Sequence, residues 1–161
     1  MWEGGSRVPL IANWQGVTPA GAVLDDLTDF SDFLPTFAEV GGASLPAGIT
    51  LDGRSFAPQL RGEKGTPRQW VFVQYFPNTD RGSGHQAGRF YVRDNGWKLN
   101  ESGELFDMKD APFTEKPVPA DSTDPTAAAA RKRLQAILDT LNPKAGKTEP
   151  LPKAGAKAPA D

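Results

Sequence analysis

The tripeptide Asp94-Asn95-Gly96 carries the strongest fold signal in the sequence because it stands between two strand-like runs, 89–93 and 97–100. Asn-Gly between such runs indicates a β-hairpin and favours a type I′ turn. A run rich in β-branched and aromatic residues precedes the hairpin at 70–76, and 104–108 follows it as a further short strand. Together they predict a small antiparallel sheet of three or four short strands.

A long helix is predicted after these strands. Asp124 and Pro125 are suited to the N-cap and first helical positions, and Asn142-Pro143 ends the pattern. An apolar stripe at helical spacing runs along this segment, formed by Leu134, Ile137, Leu138 and Leu141 and extended by Ala127 and Ala130. We expect the helix to cover one face of the small sheet.

The first sixty residues carry weaker signals. Val8–Trp14 is a mostly apolar run without alternation, which predicts a strand covered on both faces; a loop with some apolar residues is the alternative. Three- and four-residue apolar spacing predicts a helix over Asp32–Val40, with Ser31 as N-cap and Gly41-Gly42 as its stop. Ser55 is predicted to cap a short helix at Phe56–Leu60.

Composition divides the chain and narrows the classes of protein. A polar stretch at 62–68 separates a first part, 1–62, from a strand-rich part, 63–142, and the Pro, Ala, Lys and Gly residues of 143–161 predict a disordered tail. A net charge of −2 gives no electrostatic case for nucleic acid or anionic membrane. No apolar run approaches the roughly 18 residues that span a bilayer, and there is no cysteine.

Two segments of the first part resemble one family. Trp2-Glu3-Gly4-Gly5-Ser6-Arg7-Val8-Pro9 resembles the E-G-G-x-R-x-P stretch of sulfatases. Asp32-Phe33-Leu34-Pro35-Thr36, followed by Ala38 and Gly41, resembles their D-x-x-P-T-x-x-x-x-A-G helix, with Val40 in place of the small residue.

Two further segments resemble the same family in the same order. Leu51-Asp52-Gly53-Arg54-Ser55, with Leu60 and Gly62, resembles the D-G-x-S-x-x-x-x-L-x-G segment. Phe90 to Leu99, and then Gly103 to Asp107, resemble the R-x-x-x-W-K-L hairpin and the E-L-Y/F-D-L strand. With all four in order over about residues 2–110, the chain is identified as similar to the C-terminal portion of a sulfatase.

The resemblance implies an α/β fold, here an α+β fragment: the edge of a large α/β sulfatase sheet over 1–62, and a small C-terminal antiparallel sheet packed by a C-terminal helix. Sulfatases hydrolyse sulfate esters with a formylglycine nucleophile made from Cys or Ser. They hold a divalent cation, usually calcium, on Asp and Asn side chains. The full-length family is expected to be periplasmic or extracellular, whereas this chain leaves its own localisation open.

The catalytic groups of the family have no counterpart in this sequence, so we assign no catalytic residue, no metal ligand and no cofactor to it. Ser44-Leu45-Pro46-Ala47-Gly48 has Gly48 where the nucleophile motif needs arginine. Asp94-Asn95-Gly96 resembles a metal-binding triplet, but it stands downstream of the Glu-Gly-Gly stretch and is interpreted as the hairpin turn. Calcium is expected only in the complete enzyme.

Four residues are the candidates for substrate binding: Trp2, Glu3, Arg7 and His85. The resemblance brings Trp2 and Glu3 close to the pocket. Arg7 has a structural alternative, in which it ties the Glu-Gly-Gly turn by hydrogen bonds. His85 has a simpler alternative too, as a solvated side chain in a Gly-rich loop.

The functional hypothesis is a truncated sulfatase in which the residues that do the chemistry precede Met1. The chain would supply scaffold and a pocket wall, would be inactive alone, and would meet a sulfate-ester substrate only in the complete enzyme. A free-standing, non-catalytic module that binds a sulfated glycan or a partner chain is the alternative. Neither hypothesis involves nucleic acid or a membrane. We also expect self-association through the exposed Val8–Trp14 strand.

Overall fold

The structure is a computed structural model that describes residues 5–75 and 89–143. A short 3₁₀ turn leads into the first helix, and a second short helix, five strands and a long final helix follow. Their bounds are Phe30–Asp32 for the 3₁₀ turn, then α1 Phe33–Val40, α2 Ala57–Leu60, β1 Val71–Tyr75, β2 Arg89–Arg93, β3 Trp97–Asn100, β4 Leu105–Asp107, β5 Lys116–Val118 and α3 Pro125–Leu141. None of the helices within these ranges is long and apolar enough to cross a membrane.

The five strands form one antiparallel sheet in the order β1-β2-β3-β4-β5, so each strand pairs with its neighbours in sequence. This confirms the predicted small antiparallel sheet and adds one strand to it. The added strand, β5, has Pro117 at its centre. Proline is tolerated there because β5 is an edge strand, where one row of backbone groups needs no ladder partner.

Helix α3 packs on one face of the sheet and forms the main core, as predicted. Its start and end are also as predicted: the Asp124 carboxylate accepts a hydrogen bond from the Thr126 amide at 2.8 Å, and Asn142 ends the helix with a φ of 44°. The core consists of side chains from β2, β3, β4 and α3, namely Phe90, Val92, Leu99, Leu105, Ala127, Ala130, Leu134 and Leu138. The mixed α/β class and the C-terminal helix are therefore confirmed.

The β2–β3 hairpin is confirmed, but the type I′ turn is wrong. A type I′ turn needs positive φ at both central residues, and neither Asn95 nor Gly96 is among the positive-φ residues. Instead, one carboxylate oxygen of Asp94 accepts hydrogen bonds from the amides of Gly96 at 2.9 Å and Trp97 at 2.8 Å. This side-chain turn satisfies the loop without a left-handed backbone.

The first helix lies where it was predicted, but its cap is earlier in the chain. Asp29, not Ser31, is the N-cap of the 3₁₀ turn that leads into α1: its carboxylate accepts from the Ser31 amide at 2.9 Å, while the Asp32 carboxylate accepts from the Asp29 amide at 2.8 Å. This reciprocal pair is a capping box formed by two aspartates. Gly42, with a φ of 65°, follows the helix as expected.

Residues 7–14 form neither helix nor strand in the structure, so the strand predicted at Val8–Trp14 is wrong and the loop alternative describes it. The segment is exposed, with Ile11 89% accessible. The physical reason is that none of the five strands in the described ranges lies beside it to supply ladder hydrogen bonds. The expected tail, apart from Pro143, lies outside the described residues.

Candidate functional site

The structure describes one of the four predicted substrate-binding residues. Trp2, Glu3 and His85 lie outside the described residues. Arg7 is exposed and follows Ser6, whose hydroxyl reaches the sheet. Ser6 thus links the residue next to Arg7 to one face of the sheet.

That face, which we call the polar face, is the side of the sheet opposite α3. Because strand residues alternate in direction, Tyr91 and Arg93 on β2 point away from the core that Phe90 and Val92 enter. Lys98 on β3 is the register partner of Arg93. Tyr91 and Lys98 are each only 1% exposed. Both sides of the sheet are thus covered, one by an apolar core and the other by polar side chains.

A buried ion pair occupies the centre of the polar face. The Lys98 ammonium donates to the carboxylate of Glu115, which precedes β5. The same ammonium lies 5.3 Å from the ring centre of Tyr91 and 4.6 Å from that of Phe106. Desolvating two charges is costly unless each is paired, so this arrangement fixes the lysine, the glutamate and the tyrosine relative to one another.

The Tyr91 hydroxyl shares a hydrogen bond with the Ser6 hydroxyl across 85 positions of sequence. Burial raises the pKa of Tyr91, and the hydrogen bond from Ser6 opposes that rise while the charge of Glu115 adds to it. Burial also lowers the pKa of Arg93, against the opposing charges of Asp94 and Glu115. The tyrosine is therefore a neutral, buried anchor for the N-terminal segment.

A second polar cluster, centred on Asp32, connects the first part of the chain to Arg68 of the strand-rich part. Arg68 donates from Nε to Asp32 Oδ2 at 2.9 Å and from Nη2 to Oδ1 at 2.5 Å, and the Arg54 amide donates to Oδ1 at 2.7 Å. Burial alone would raise the pKa of Asp32, but the hydrogen bonds from Arg68 and from backbone amides hold it below its usual value. The carboxylate is a structural anion.

Thr36 and Gly53 complete this cluster. Thr36 Oγ1 donates to the Asp32 carbonyl at 2.6 Å and accepts from the Phe56 amide at 3.0 Å. A Cβ on Gly53 would lie 1.9 Å from the Ser31 carbonyl oxygen, so only glycine allows the two backbones to approach. Asp32, Thr36 and Gly53 belong to two of the segments that resemble sulfatases, and they join α1 to residues 51–56. Their role is therefore to stabilise the fold.

The acidic residues of the described ranges do not fit a calcium site. Calcium takes six to eight oxygen ligands, and no group of three or more acidic or histidine side chains in these ranges is placed to hold a metal. Asp94 belongs to the triplet that resembles a metal-binding motif. Its Oδ1 accepts hydrogen bonds from two amides of the hairpin, and its Oδ2 accepts one from Arg133 Nη2 at 2.5 Å. It anchors the hairpin to α3.

Sequence reasoning did not find the polar face. Tyr91 and Lys98 belong to the resembling hairpin, and their two-residue alternation with core positions was available as a signal. Glu115 had no such signal, because it lies in an irregular connection whose approach to Lys98 depends on how β5 closes the sheet.

The chain combines a small antiparallel sheet and a long helix with an N-terminal part that has little regular structure. This is the architecture expected from the resemblance to the C-terminal portion of a sulfatase. The family model described as "N-sulphoglucosamine sulphohydrolase, C-terminal" matches residues 1–143. The chain belongs to that family, which confirms the resemblance to sulfatases.

Named sulfatases are among the relatives of this chain. It is 34% identical to human arylsulfatase D over 107 residues, covering 65% of this chain and 17% of that protein. It is 35% identical to bovine arylsulfatase A over 136 residues, covering 84% of this chain and 23% of that protein. The chain therefore spans about a fifth of the length of these relatives.

A solved structure is also similar to this chain. It is described as a complex with its substrate D-glucosamine-2-N,6-O-disulfate, and it matches with a TM-score of 0.48 and 25% identity. The match covers 69% of this chain and 23% of that one.

Proposed function

We propose that this chain acts as the C-terminal part of a sulfatase, providing scaffold and one wall of the substrate pocket, and that it is catalytically incomplete alone. The observation that carries the proposal is the family match over residues 1–143. The polar face supports it, because it anchors the segment in which the candidate Arg7 lies.

The wall offers chemistry suited to a sulfate ester, which is the proposed substrate class. Arg7 presents a planar guanidinium, which suits the oxygens of a sulfate group through paired hydrogen bonds. Trp2, Glu3 and His85 remain proposed contacts in the same wall. The wall would thus contribute to binding the substrate, while other residues of the complete enzyme would cleave the sulfate ester.

The chemical step is proposed to depend on residues other than those described. Asp32 and Asp94 are committed to arginines and backbone amides, and the chain has no cysteine. We expect calcium in the complete enzyme to be held by side chains outside the described ranges, since these ranges offer no fitting group.

The remaining partner in this proposal is the rest of a sulfatase core. Helix α1 and the turn before it expose a stripe of large apolar side chains, including Phe30, Leu34 and Phe37, with Phe37 65% accessible. Exposed contiguous apolar surface marks a site of protein contact. Because the chain spans only about a fifth of its relatives, the other four fifths of such a protein are the proposed cover.

A turnover assay tests catalytic incompleteness. The purified chain is incubated with 4-nitrophenyl sulfate, with and without calcium, and release of nitrophenol is followed by absorbance. We expect no release above a buffer blank in either condition. Calcium-dependent release that co-purifies with the chain would contradict the proposal.

The alternative is a free-standing, non-catalytic module that binds a sulfated glycan or a partner chain. The exposed apolar stripe of α1 favours a protein partner within this alternative. Retention on heparin-agarose at physiological salt, without any turnover, would support the glycan-binding form and count against the sulfatase-part proposal.

We also propose that, without that cover, the chain self-associates through the apolar stripe and the Val8–Trp14 segment. Sedimentation velocity is measured for the wild type, for the double variant Phe30→Ser/Phe37→Ser, and for Phe113→Ser, which changes a 95% exposed phenylalanine after β4. We expect association in the wild type and in Phe113→Ser, and weaker association in the double variant, which leaves the exposed Val8–Trp14 segment in place. A monomeric wild type would contradict self-association.

A further inference from the structure

We propose that Tyr91 is a positioning residue, which holds the Ser6-Arg7 dipeptide against the polar face of the sheet. The observation that supports this role is the hydrogen bond between the Ser6 and Tyr91 hydroxyls. The functional meaning of the inference rests on the proposed pocket wall, whereas the contact itself is testable in the chain alone.

Tyr91 is suited to this role because it cannot easily move. Its side chain is buried within the polar face, and the Lys98 ammonium lies 5.3 Å from its ring centre. Lys98 is held in turn by the buried ion pair with Glu115. The position of the Tyr91 hydroxyl is therefore set by three elements of the sheet: β2, β3 and the connection before β5.

The segment that Tyr91 holds has little structure of its own. Residues 7–14 form neither helix nor strand, and the next backbone turn is closed where the Val17 and Thr18 amides donate to the Trp14 carbonyl at 3.0 and 2.9 Å. The side-chain hydrogen bond at Ser6 therefore adds a restraint to a stretch that has no helix or strand to limit its conformational entropy.

Arg7 is the residue that gains from this restriction. Consecutive Cα atoms are about 3.8 Å apart, so fixing Ser6 places the Arg7 backbone within one residue of the buried anchor. Removing the Tyr91 hydroxyl, while keeping the ring, would remove this restraint on the Ser6-Arg7 dipeptide without removing the packing under Lys98. Positioning and stability are thus separable at this residue.

Limited trypsin digestion reads the position of Arg7 directly, because trypsin cleaves the Arg7–Val8 bond. Tyr91→Phe and Ser6→Ala are each expected to speed this cleavage by about fivefold, which corresponds to the loss of one hydrogen bond of about 1 kcal/mol. Ser6→Thr keeps a hydroxyl and is expected to be cleaved at the wild-type rate. Tyr75→Phe changes an exposed tyrosine and serves as the matched control.

Two measurements separate local release from general loosening. Cleavage after Arg54 and Arg61 and the thermal midpoint are expected to stay unchanged in Ser6→Ala. The inference is overturned if cleavage after Arg7 does not speed up in Ser6→Ala, or if all three sites speed up equally. Because Ser6 is at the surface, this variant gives an answer even if Tyr91→Phe folds poorly. Failure here leaves the turnover test untouched, so the two proposals fail separately.

Discussion

The two regions of this molecule solve the problem of burial differently. The C-terminal region, residues 63–75 and 89–143, buries a core under α3 and a charged cluster on the opposite face of its sheet. The N-terminal region, residues 5–62, leaves much of its apolar bulk exposed, at Val8, Leu10, Ile11, Val23, Leu24, Phe30, Leu34, Phe37, Val40, Leu45 and Ile49. The C-terminal region thus buries most of its apolar side chains by itself, whereas the N-terminal region leaves a large apolar surface exposed.

The difference follows from where each region finds its contacts. Every strand of the C-terminal region pairs with the next in sequence, so its core closes locally. In the N-terminal region, Asp32 accepts from the Arg54 amide and from Arg68 of the C-terminal region, and the rings of Phe33 and Phe56 meet edge to face with centres 5.4 Å apart. Such contacts fix a shape while leaving much apolar surface exposed. A defined conformation and a buried core are therefore separate properties in this chain.

The largest expected effect contrasts the buried and the exposed ion pairs. Lys98→Met removes the counter-charge of buried Glu115 and is expected to lower the free energy of unfolding by about 3–5 kcal/mol. Arg61→Met breaks an exposed ion pair in which Arg61 Nη2 lies 2.8 Å from Glu39 Oε1. The free energy of unfolding is expected to change little, because water screens exposed charges. Urea unfolding followed by circular dichroism measures both. Equal effects would remove the distinction between the regions.

A matched leucine substitution tests the apolar side of the same contrast. Leu134→Ala opens a cavity in the core, where Leu134 is 0% exposed, and is expected to cost about 2–5 kcal/mol. Leu34→Ala makes the same chemical change on α1, where the side chain is 52% exposed, and is expected to cost less than about 0.5 kcal/mol in the monomeric chain. A large cost at Leu34, measured by the same unfolding experiment, would mean that the N-terminal region has a core of its own.

Gly53 and Gly96 differ in how much room the structure leaves for a Cβ atom, so alanine is expected to have different effects at the two positions. Gly53→Ala forces a Cβ to within 1.9 Å of the Ser31 carbonyl oxygen and is expected to cost about 1–3 kcal/mol, with α1 losing its contact to residues 51–56. Gly96→Ala meets nothing closer than 3.9 Å and is expected to change stability by less than about 1 kcal/mol. Thermal unfolding ranks the two variants, and the reverse order would contradict the close approach seen at Gly53.

The smallest expected effect is confined to acid. The pKa of Asp32 is lowered in the folded chain from its usual 3.8, so its contribution to stability is present above that pH and is lost as the pH falls below it towards the folded value. Asp32→Asn lacks this contribution at all pH values. The gap in thermal midpoint between wild type and variant is therefore expected to narrow below about pH 3.8. A gap that is constant with pH would show that the carboxylate charge is not what matters.

Much of the C-terminal region was predictable because its signals are local. Runs of β-branched and aromatic residues, the Asp-Asn-Gly turn and the capped apolar stripe of α3 identify up to four strands, a hairpin and a helix from neighbouring residues alone. Two details were not local. Strand β5 is three residues long with a central proline, and it exists only because β4 lies beside it. The turn type depended on the Asp94 side chain, which replaces the left-handed backbone that Asn-Gly favours.

The N-terminal region and the site were predictable only in part. The apolar run Val8–Trp14 predicts a buried strand, but a strand forms only beside another strand that supplies hydrogen-bond partners. None of the described strands lies next to this segment. Of the candidate site residues, Arg7 could be located from the resemblance, whereas its anchor could not. Tyr91 and Ser6 are 85 positions apart, and only the folded sheet brings their hydroxyls together.

Native-state hydrogen exchange on the wild-type chain tests most directly the claim that the two regions differ in self-sufficiency. Amides of β2, β3 and α3 are expected to exchange only through global unfolding, while amides of residues 7–14, which form neither helix nor strand, are expected to exchange at rates close to those of an unfolded peptide. Comparable protection across both regions would contradict the account, because it would mean that the N-terminal region is already complete.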